Sequence, residues 1–251
     1  MIETFAQSRA ESWLALAFAA GIAGCAATGA NAPASQPAAA PAASPTAPAA
    51  VSATKPAATA AAAAATSKLP TLLVYGNEGA VAPYTLFLGT PANFSTTVPK
   101  NGLAALDAGA IKVEPTRVGD SAGAKFTWTG GLGQTHLQSR ISNDLLDYLE
   151  AQSAMVFDAV VHKSPDDQVT MRVDCRYPCL GVVDMTDFYK KAPLEKKITV
   201  KIPLSCFEAT GTKFTAVNTP LVIFTTKPFV LSVANVRYVP GAAKDADAMK
   251  C

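Results

Sequence analysis

Short runs of alternating apolar and polar residues dominate the C-terminal two thirds of the chain. Successive side chains of a β-strand point to opposite faces, so a period of two predicts a strand with one buried face. Ile198, Val200 and Ile202 alternate with polar residues in this way. Between Tyr84 and Leu88 the leucines share one face and Phe87 takes the other. Both segments are therefore predicted strands.

The first of these strands extends over 197–204, and the same reasoning predicts further strands at 72–75, 111–113, 125–129, 136–141, 154–162, 168–175, 219–225 and 229–239. Residues 130–133 have the composition of a turn, and residues 163–167 that of a hairpin turn. Helical turns or loops are expected at 103–106 and 142–150, and a short helix at 182–189. Roughly nine or ten short strands with little helix predict an all-β fold, an antiparallel β-sandwich or jelly roll.

The N-terminal quarter has a different composition. Residues 26–68 contain no acid and no aromatic, and Val51 is their only apolar residue larger than Ala. Such a segment buries too little apolar surface to offset its ordering entropy, and recurring prolines favour extended backbone. We therefore predict a disordered tether at 25–68, a β-sandwich domain at 69–241 and a short C-terminal tail at 242–251.

An apolar run from Trp13 to Gly24 precedes the tether. It is too short to span a bilayer and has the length of a signal-peptide core, which predicts a signal peptide at 1–24. The run ends in Ile22-Ala23-Gly24-Cys25, which resembles the bacterial lipobox. That resemblance implies that Cys25 is lipidated and anchors the protein, and Ala26 after it implies the outer membrane. An ordinary cleaved signal with an incidental cysteine is the alternative.

The charge of the chain argues against nucleic acid. The formal net charge is +2, and no basic run is longer than the pairs Lys190-Lys191 and Lys196-Lys197. Nucleic acid is therefore not an expected partner, whereas the membrane is expected as one through the lipid anchor.

Export makes the cysteines informative. With Cys25 set aside, the four cysteines Cys175, Cys179, Cys206 and Cys251 allow three pairings. Their spacing favours a local Cys175–Cys179 bridge around Pro178, after which Cys206 and Cys251 either pair or stay free. A zinc site is a weak alternative, because His136 and His162 lack finger-like spacing and an oxidising compartment favours disulfides. No cofactor is expected, and no Asp-rich loop supports a structural calcium.

A series of short segments from Lys125 onward resembles a known family. In order these are 126–130 (FTWTG), 154–159 (AMVFDA), 175–179 (CRYPC), 202–207 (IPLSCF), 219–221 (TPL) and 231–237 (LSVANVR). They are similar to the galactose-binding-like C-terminal domain, of ExoP type, of bacterial exo-1,3/1,4-β-glucanases of glycoside hydrolase family 3. Residues 83–86 resemble the family's opening strand, with Tyr84 where Trp is more usual.

The resemblance implies a galactose-binding-like sandwich in a carbohydrate context, and it does not imply hydrolysis. In those enzymes catalysis belongs to separate upstream domains, whereas a signal and a tether are expected here. The implied function is a non-catalytic carbohydrate-binding domain on an envelope lipoprotein that contacts β-glucan or another polysaccharide. The alternative is an assembly module that binds an envelope protein and no sugar.

Candidate sugar-contacting residues are chosen for aromatic faces and directional hydrogen bonds. They are Trp128, His136, Gln138, Arg140, Arg172, Asp174 and Tyr177. Each has a structural alternative: Trp128 as a core aromatic, which we favour slightly, 136/138/140 as a solvated sheet face, and Arg172–Asp174 as an ion pair.

Catalytic constellations are not evident in the sequence. Asp158, Asp174, Asp184 and Asp187 show no pairing of the kind a glycosidase needs. Neither histidine lies in a recognisable nucleophile context. The sequence therefore predicts no enzyme.

Overall fold

The computed structural model describes residues 69–99, 102–106 and 110–251. The predicted signal peptide, the lipidation site Cys25 and the predicted tether lie outside these residues. No helix within the described ranges is long and apolar enough to cross a membrane.

The described residues form fourteen strands and three short α-helices. The strands are β1 (Leu72–Gly76), β2 (Gly79–Ala80), β3 (Thr85–Gly89), β4 (Thr96–Thr97), β5 (Ala104–Leu106), β6 (Ile111–Val118), β7 (Ser121–Trp128), β8 (Gly133–Gln138), β9 (Ala154–Lys163), β10 (Val169–Asp174), β11 (Leu180–Asp184), β12 (Lys197–Pro203), β13 (Thr219–Thr225) and β14 (Phe229–Val239). The helices are α1 (Leu146–Glu150), α2 (Thr186–Lys191) and α3 (Leu204–Ala209), with 3₁₀ turns at Phe214–Ala216 and Ala242–Lys244.

Two antiparallel sheets divide these strands. Sheet A has the order β12-β9-β14-β7-β6-β5, and β1 pairs with both β14 and β2. Sheet B has the order β11-β10-β13-β8-β3-β4. Neighbours in space are mostly distant in sequence, which is typical of a jelly-roll sandwich. The predicted all-β sandwich is confirmed.

The core lies between the sheets and follows the predicted alternation. On β12, Val200 and Ile202 are buried and belong to the core. On β3, Leu88 is buried and Leu86 packs against the core, whereas Phe87 belongs to the opposite face. The largest fully buried side chains are Trp128, Tyr189, Tyr238, Phe157, Phe207 and Phe229.

Two disulfides secure the loops and the tail. Cys175 and Cys179 are bridged across the connection from β10 to β11, as the spacing predicts. Cys206 on α3 is bridged to Cys251, which settles the open pairing. Lys201 Nζ also contacts Asp245 Oδ2 and Asp247 Oδ1, each at 2.7 Å. The C-terminal segment is therefore attached to sheet A.

Helix α3 packs closely on the strand that follows the first disulfide. A Cβ added at Gly181 would clash with the backbone carbonyl of Phe207 and with the Thr212 hydroxyl. Glycine at this position is what allows α3 to approach β11.

Several local predictions were wrong. Residues 163–167 do not form a hairpin turn, because β9 belongs to sheet A and β10 to sheet B. Residues 104–106 are a strand, and the predicted helix at 182–189 begins only at Thr186, after β11. The strand predicted at 197–204 ends at Pro203, and Leu204 begins α3, which carries Cys206.

Candidate functional site

The outer face of sheet B is the side turned away from the core. The inward positions, such as Leu137, Met171 and Ile223, are core residues. The alternate positions therefore point outward. We define the outer face of sheet B by these residues: Thr85, Phe87, Gln134, His136, Gln138, Thr170, Arg172, Asp174, Val182, Val222 and Phe224.

A row of outward residues crosses the middle of this face. The strand register pairs Arg172 with Val222, Val222 with His136, and His136 with Phe87. The Phe87 and His136 rings are stacked, with centroids 5.2 Å apart and an interplanar angle of 13°. Phe87 remains partly exposed, whereas His136 is only 6% exposed. An aromatic platform thus lies beside a buried imidazole.

His136 is held neutral by its surroundings. Burial, and secondarily the positive charge of Arg172, lowers its pKa to about 4. Its buried Nδ1 has no hydrogen-bond partner among the described residues. A buried polar atom without a partner is uncommon in folded proteins, which marks this position as unusual.

Arg172 and Asp174 form a two-point ion pair beside this row. Nη2 of the arginine donates to Oδ2 of the aspartate at 2.7 Å, and Nε donates to Oδ1 at 3.2 Å. The paired groups hold each other in a planar arrangement, with 21% and 13% of their side chains exposed. Carboxylate oxygens with spare lone pairs can still accept hydrogen bonds from hydroxyl groups.

A second row adds apolar surface. Phe224 is paired with Gln134 across β13 and β8, and Gln134 with Gly89 across β8 and β3. A Cβ at Gly89 would lie 2.7 Å from the carbonyl oxygen of Phe94, so glycine lets the loop after β3 fold close to the sheet. Phe94 is 50% exposed, and Phe224 is partly exposed.

These phenylalanines and Gln134 were not predicted from the sequence as site residues. Alternation placed Phe87 opposite the core leucines, and that signal could have identified it as an outward aromatic. Phe224 gave no such signal, because β13 is apolar on both faces.

The structure brings together four of the seven predicted site residues. His136, Gln138, Arg172 and Asp174 share the outer face of sheet B. Trp128 does not: it is 1% exposed, stacks on Phe229, and donates from Nε1 to the carbonyl of Gly133 at 3.1 Å. A sugar-stacking role for Trp128 is therefore wrong, and the core alternative is confirmed.

Arg140 and Tyr177 lie in loops at one end of the sandwich. Arg140 follows β8 and Tyr177 lies within the Cys175–Cys179 loop. Both are exposed, Tyr177 to 86%.

The outer face of sheet A is built differently, around Asp158. Its Oδ1 accepts from Thr199 at 2.9 Å, and its Oδ2 accepts from Asn235 at 3.1 Å and contacts Lys197 at 3.4 Å. Burial opposes ionisation, but the hydrogen bonds and Lys197 outweigh it and lower the pKa of Asp158. Asn235 reaches the carboxylate from a bulge in β14, where its φ is 54°.

A Ser-His-Glu arrangement also lies in sheet A. His162 Nδ1 lies 2.7 Å from Glu195 Oε2, and Nε2 lies 2.8 Å from Ser232 Oγ. An ionised carboxylate only accepts, so Nδ1–H donates to Glu195, and the hydrogen-bond partner of Nε2 is the serine hydroxyl. The connectivity resembles a hydrolase triad. However, Ser232 is 1% exposed in the middle of a strand paired on both sides, which leaves no access for a reactant.

Metal ligands are not grouped in the described ranges. No three His, Cys, Asp or Glu side chains there are close enough together to hold an ion. The face of sheet B instead offers aromatic, amide and paired ionic groups, which suit a polar ligand with flat apolar surfaces.

Residues 82–238 match the family model Exop_C, described as galactose-binding domain-like. Solved structures with the same fold include the exo-1,3/1,4-β-glucanase ExoP from a Pseudoalteromonas species, with a TM-score of 0.59 and 15% identity over 73% of this chain and 22% of that one. The separate extra C-terminal domain of that enzyme gives the same TM-score and identity, over 72% of this chain and 98% of that domain.

The family 30 carbohydrate-binding module of cellulosomal cellulase Cel9D-Cel44B from Clostridium thermocellum is also similar. Its TM-score is 0.51, with 16% identity over 69% of this chain and 99% of the module. No curated protein matches the chain. The chain spans about a fifth of the glucanase's length, as the 22% coverage shows, so the similarity concerns the accessory domain. The predicted ExoP-type resemblance and galactose-binding-like fold are confirmed.

Proposed function

Because the chain belongs to the Exop_C family of galactose-binding-like domains, we propose that it binds a polysaccharide on the outer face of sheet B. The family is one of non-catalytic accessory domains, and this domain is sugar-binding-like and not an enzyme. The proposed ligand is a β-glucan or another envelope polysaccharide.

One observation carries the proposal: the partly exposed Phe87 ring, stacked on His136, shares its sheet face with the Arg172–Asp174 pair. Pyranose rings have flat C–H faces that pack on aromatics, and their hydroxyls both donate and accept hydrogen bonds. Phe87 would take the ring face, while Asp174, Gln138 and Gln134 would take hydroxyl groups.

Affinity electrophoresis in gels containing mixed-linkage 1,3/1,4-β-glucan tests this proposal. Replacing Phe87 by Ala removes the platform, and we expect at least about tenfold weaker binding, in the range of hot-spot aromatics. Leu73→Ala is the matched control, since it truncates a 40% exposed apolar side chain on β1 of sheet A. Equal retardation of both variants would reject the outer face of sheet B as the site.

A second arm addresses the alternative of an assembly module. A panel of envelope glycans, including peptidoglycan, is offered to the wild type. Failure to bind any glycan, together with recovery of one defined envelope protein by crosslinking, would favour assembly over sugar binding.

We also propose that Cys25 anchors the protein to the outer membrane through a lipid. The support is the sequence Ile22-Ala23-Gly24-Cys25 behind an apolar run of signal-peptide length. Cys25→Ala should move the protein from the membrane fraction to the soluble fraction. A variant that stays entirely with the membrane would refute the anchor.

A further inference from the structure

Three loops meet at one end of the sandwich, next to the outer face of sheet B. Asn218, just before β13, joins them. Its carbonyl accepts from Ser139 N at 2.8 Å, and its own N donates to Asp174 O at 3.2 Å. Its side-chain Oδ1 accepts from Arg176 N at 2.9 Å. We call the exposed residues Arg140, Ile141, Arg176 and Tyr177 of these loops the end platform.

The loop that carries Arg176 and Tyr177 is held in one conformation. Arg176 has a φ of 67°, in the left-handed region that non-glycine residues seldom adopt. Cys175 N donates to Cys179 O at 2.8 Å, Cys179 N donates to Arg176 O at 2.9 Å, and the disulfide closes the turn. The backbone of such a loop loses little freedom when the loop binds a ligand.

The end platform is both apolar and positively charged. Tyr177 and Ile141 are 86% and 61% exposed, the two highest values among the exposed large hydrophobic residues. The Nε of Arg176 donates to Ser142 Oγ at 2.8 Å, which joins the two loops. In the described residues neither Arg140 nor Arg176 has a carboxylate within salt-bridge distance, in contrast to Arg172.

The nearest acid along the chain from Arg140 does not supply that carboxylate. Asp144 instead accepts from the backbone N of Leu146 at 3.0 Å, at the start of α1. The guanidinium groups of Arg140 and Arg176 thus remain without an anionic partner among the described residues, and Arg176 directly precedes the exposed Tyr177 in the chain.

We infer that the end platform recognises a carboxylate on the glycan, so that the ligand is an acidic polysaccharide containing uronic acid. The planar guanidinium matches a carboxylate with two parallel hydrogen bonds, and the Tyr177 ring can pack on the sugar that carries it. Arg140 follows Gln138 by two residues, and Arg176 follows Asp174 by two. One glycan chain can therefore contact both the outer face of sheet B and the end platform. The inference rests on the proposed function and names the class of glycan.

Polygalacturonate and its fully methyl-esterified form test the inference, because they share one backbone and differ in charge. Titration calorimetry should show that polygalacturonate binds at least about tenfold more tightly than its methyl-esterified form. The affinity for polygalacturonate should fall as the salt concentration rises. Mixed-linkage β-glucan serves as a neutral reference.

The variants Arg140→Gln and Tyr177→Ala should each weaken polygalacturonate binding about tenfold, while leaving the thermal midpoint unchanged because both side chains are exposed. Arg117→Gln is the matched control: it removes one exposed arginine from β6 of sheet A and should leave the Kd unchanged.

The outcomes separate the two proposals. Binding of β-glucan without any preference for polygalacturonate would overturn the acidic ligand and leave the proposed function standing. Binding of neither polymer would overturn the acidic ligand, and the panel of envelope glycans would then decide the proposed function. Polygalacturonate binding that Arg140→Gln and Tyr177→Ala weaken no more than Arg117→Gln would reduce the effect to general charge attraction and overturn the end platform.

Discussion

The two outer faces of the sandwich arise from the same alternation but use their polar groups in different ways. On sheet A, the Asp158 carboxylate accepts from Thr199 and Asn235, and His162 is bonded at both ring nitrogens. On sheet B, His136 Nδ1 has no partner among the described residues, and Phe87 keeps part of its ring exposed. Asp158 and His162 on sheet A are thus bonded to other side chains, whereas sheet B presents a partly exposed aromatic ring.

This difference shows why charged clusters alone are a poor guide to a binding site. The Asp158 carboxylate is held by three side chains, those of Thr199, Asn235 and Lys197, so it contributes to folding, and a ligand would have to displace one of them. An aromatic surface next to fixed polar groups requires no such displacement. The comparison predicts that substitutions on sheet A change stability, and that substitutions on sheet B change binding.

Asp158→Ala should have the largest effect on stability. The substitution removes the acceptor of two hydrogen bonds, from Thr199 and Asn235, and leaves the Asn235 amide with Ser121 Oγ as its remaining acceptor. We expect a loss of about 3 kcal/mol in the free energy of unfolding, as for other buried polar networks. Urea denaturation measures this loss.

Glu114→Ala is the control for that experiment. Glu114 pairs with Lys112 at 3.1 Å with both side chains about two-fifths exposed, so it should change stability little. Reduced glycan binding by Asp158→Ala at unchanged stability would break the distinction between the two faces.

The pH dependence of stability should report on sheet B. The pKa of His136 falls from 6.5 to about 4 on folding, so between these values the unfolded chain binds more protons. Stability is therefore full above pH 6.5 and declines as the pH falls toward 4. From pH 7 to pH 5 this group alone should cost about 2 kcal/mol.

Urea denaturation of His136→Gln at pH 7 and at pH 5 should give free energies of unfolding whose difference is about 2 kcal/mol smaller than in the wild type. Gln138→Ala, on the same strand and not titratable, should keep the full difference. An unchanged pH dependence in His136→Gln would mean that this imidazole is solvated.

The alternation of residues predicted the sandwich and most of its strands, because each strand buries one face whatever its neighbours are. The pairing of strands could not be predicted in this way. Residues 163–167 have turn chemistry that serves a hairpin and a crossing between sheets equally well, and only the distant partners of β9 and β10 distinguish the two.

The same limit applies to the candidate site: the residues that share a strand face could be predicted, but the pairing of the strands could not. His136 and Gln138 share a face by period, and so do Arg172 and Asp174, but the register that sets one pair near the other depends on β13. The position of Tyr177 depends on a loop held by Asn218, which is remote in sequence. Phe224 was missed because burial on both faces of a central strand leaves no alternation to interpret.

The smallest predicted change in stability is that of Ser232→Ala in the Ser-His-Glu arrangement of sheet A. This substitution tests directly whether the outer face of sheet A serves folding alone. If this face is structural, Ser232→Ala should lower the free energy of unfolding by about 1 kcal/mol through one lost hydrogen bond, and leave glycan binding unchanged. Ser205→Ala, at an exposed position on α3, is the control. Because Ser232 is buried within a paired strand, the wild type should not be labelled by a fluorophosphonate, as judged by peptide mass spectrometry. Covalent labelling of Ser232 would instead identify a reactive nucleophile on the face that we assign to folding.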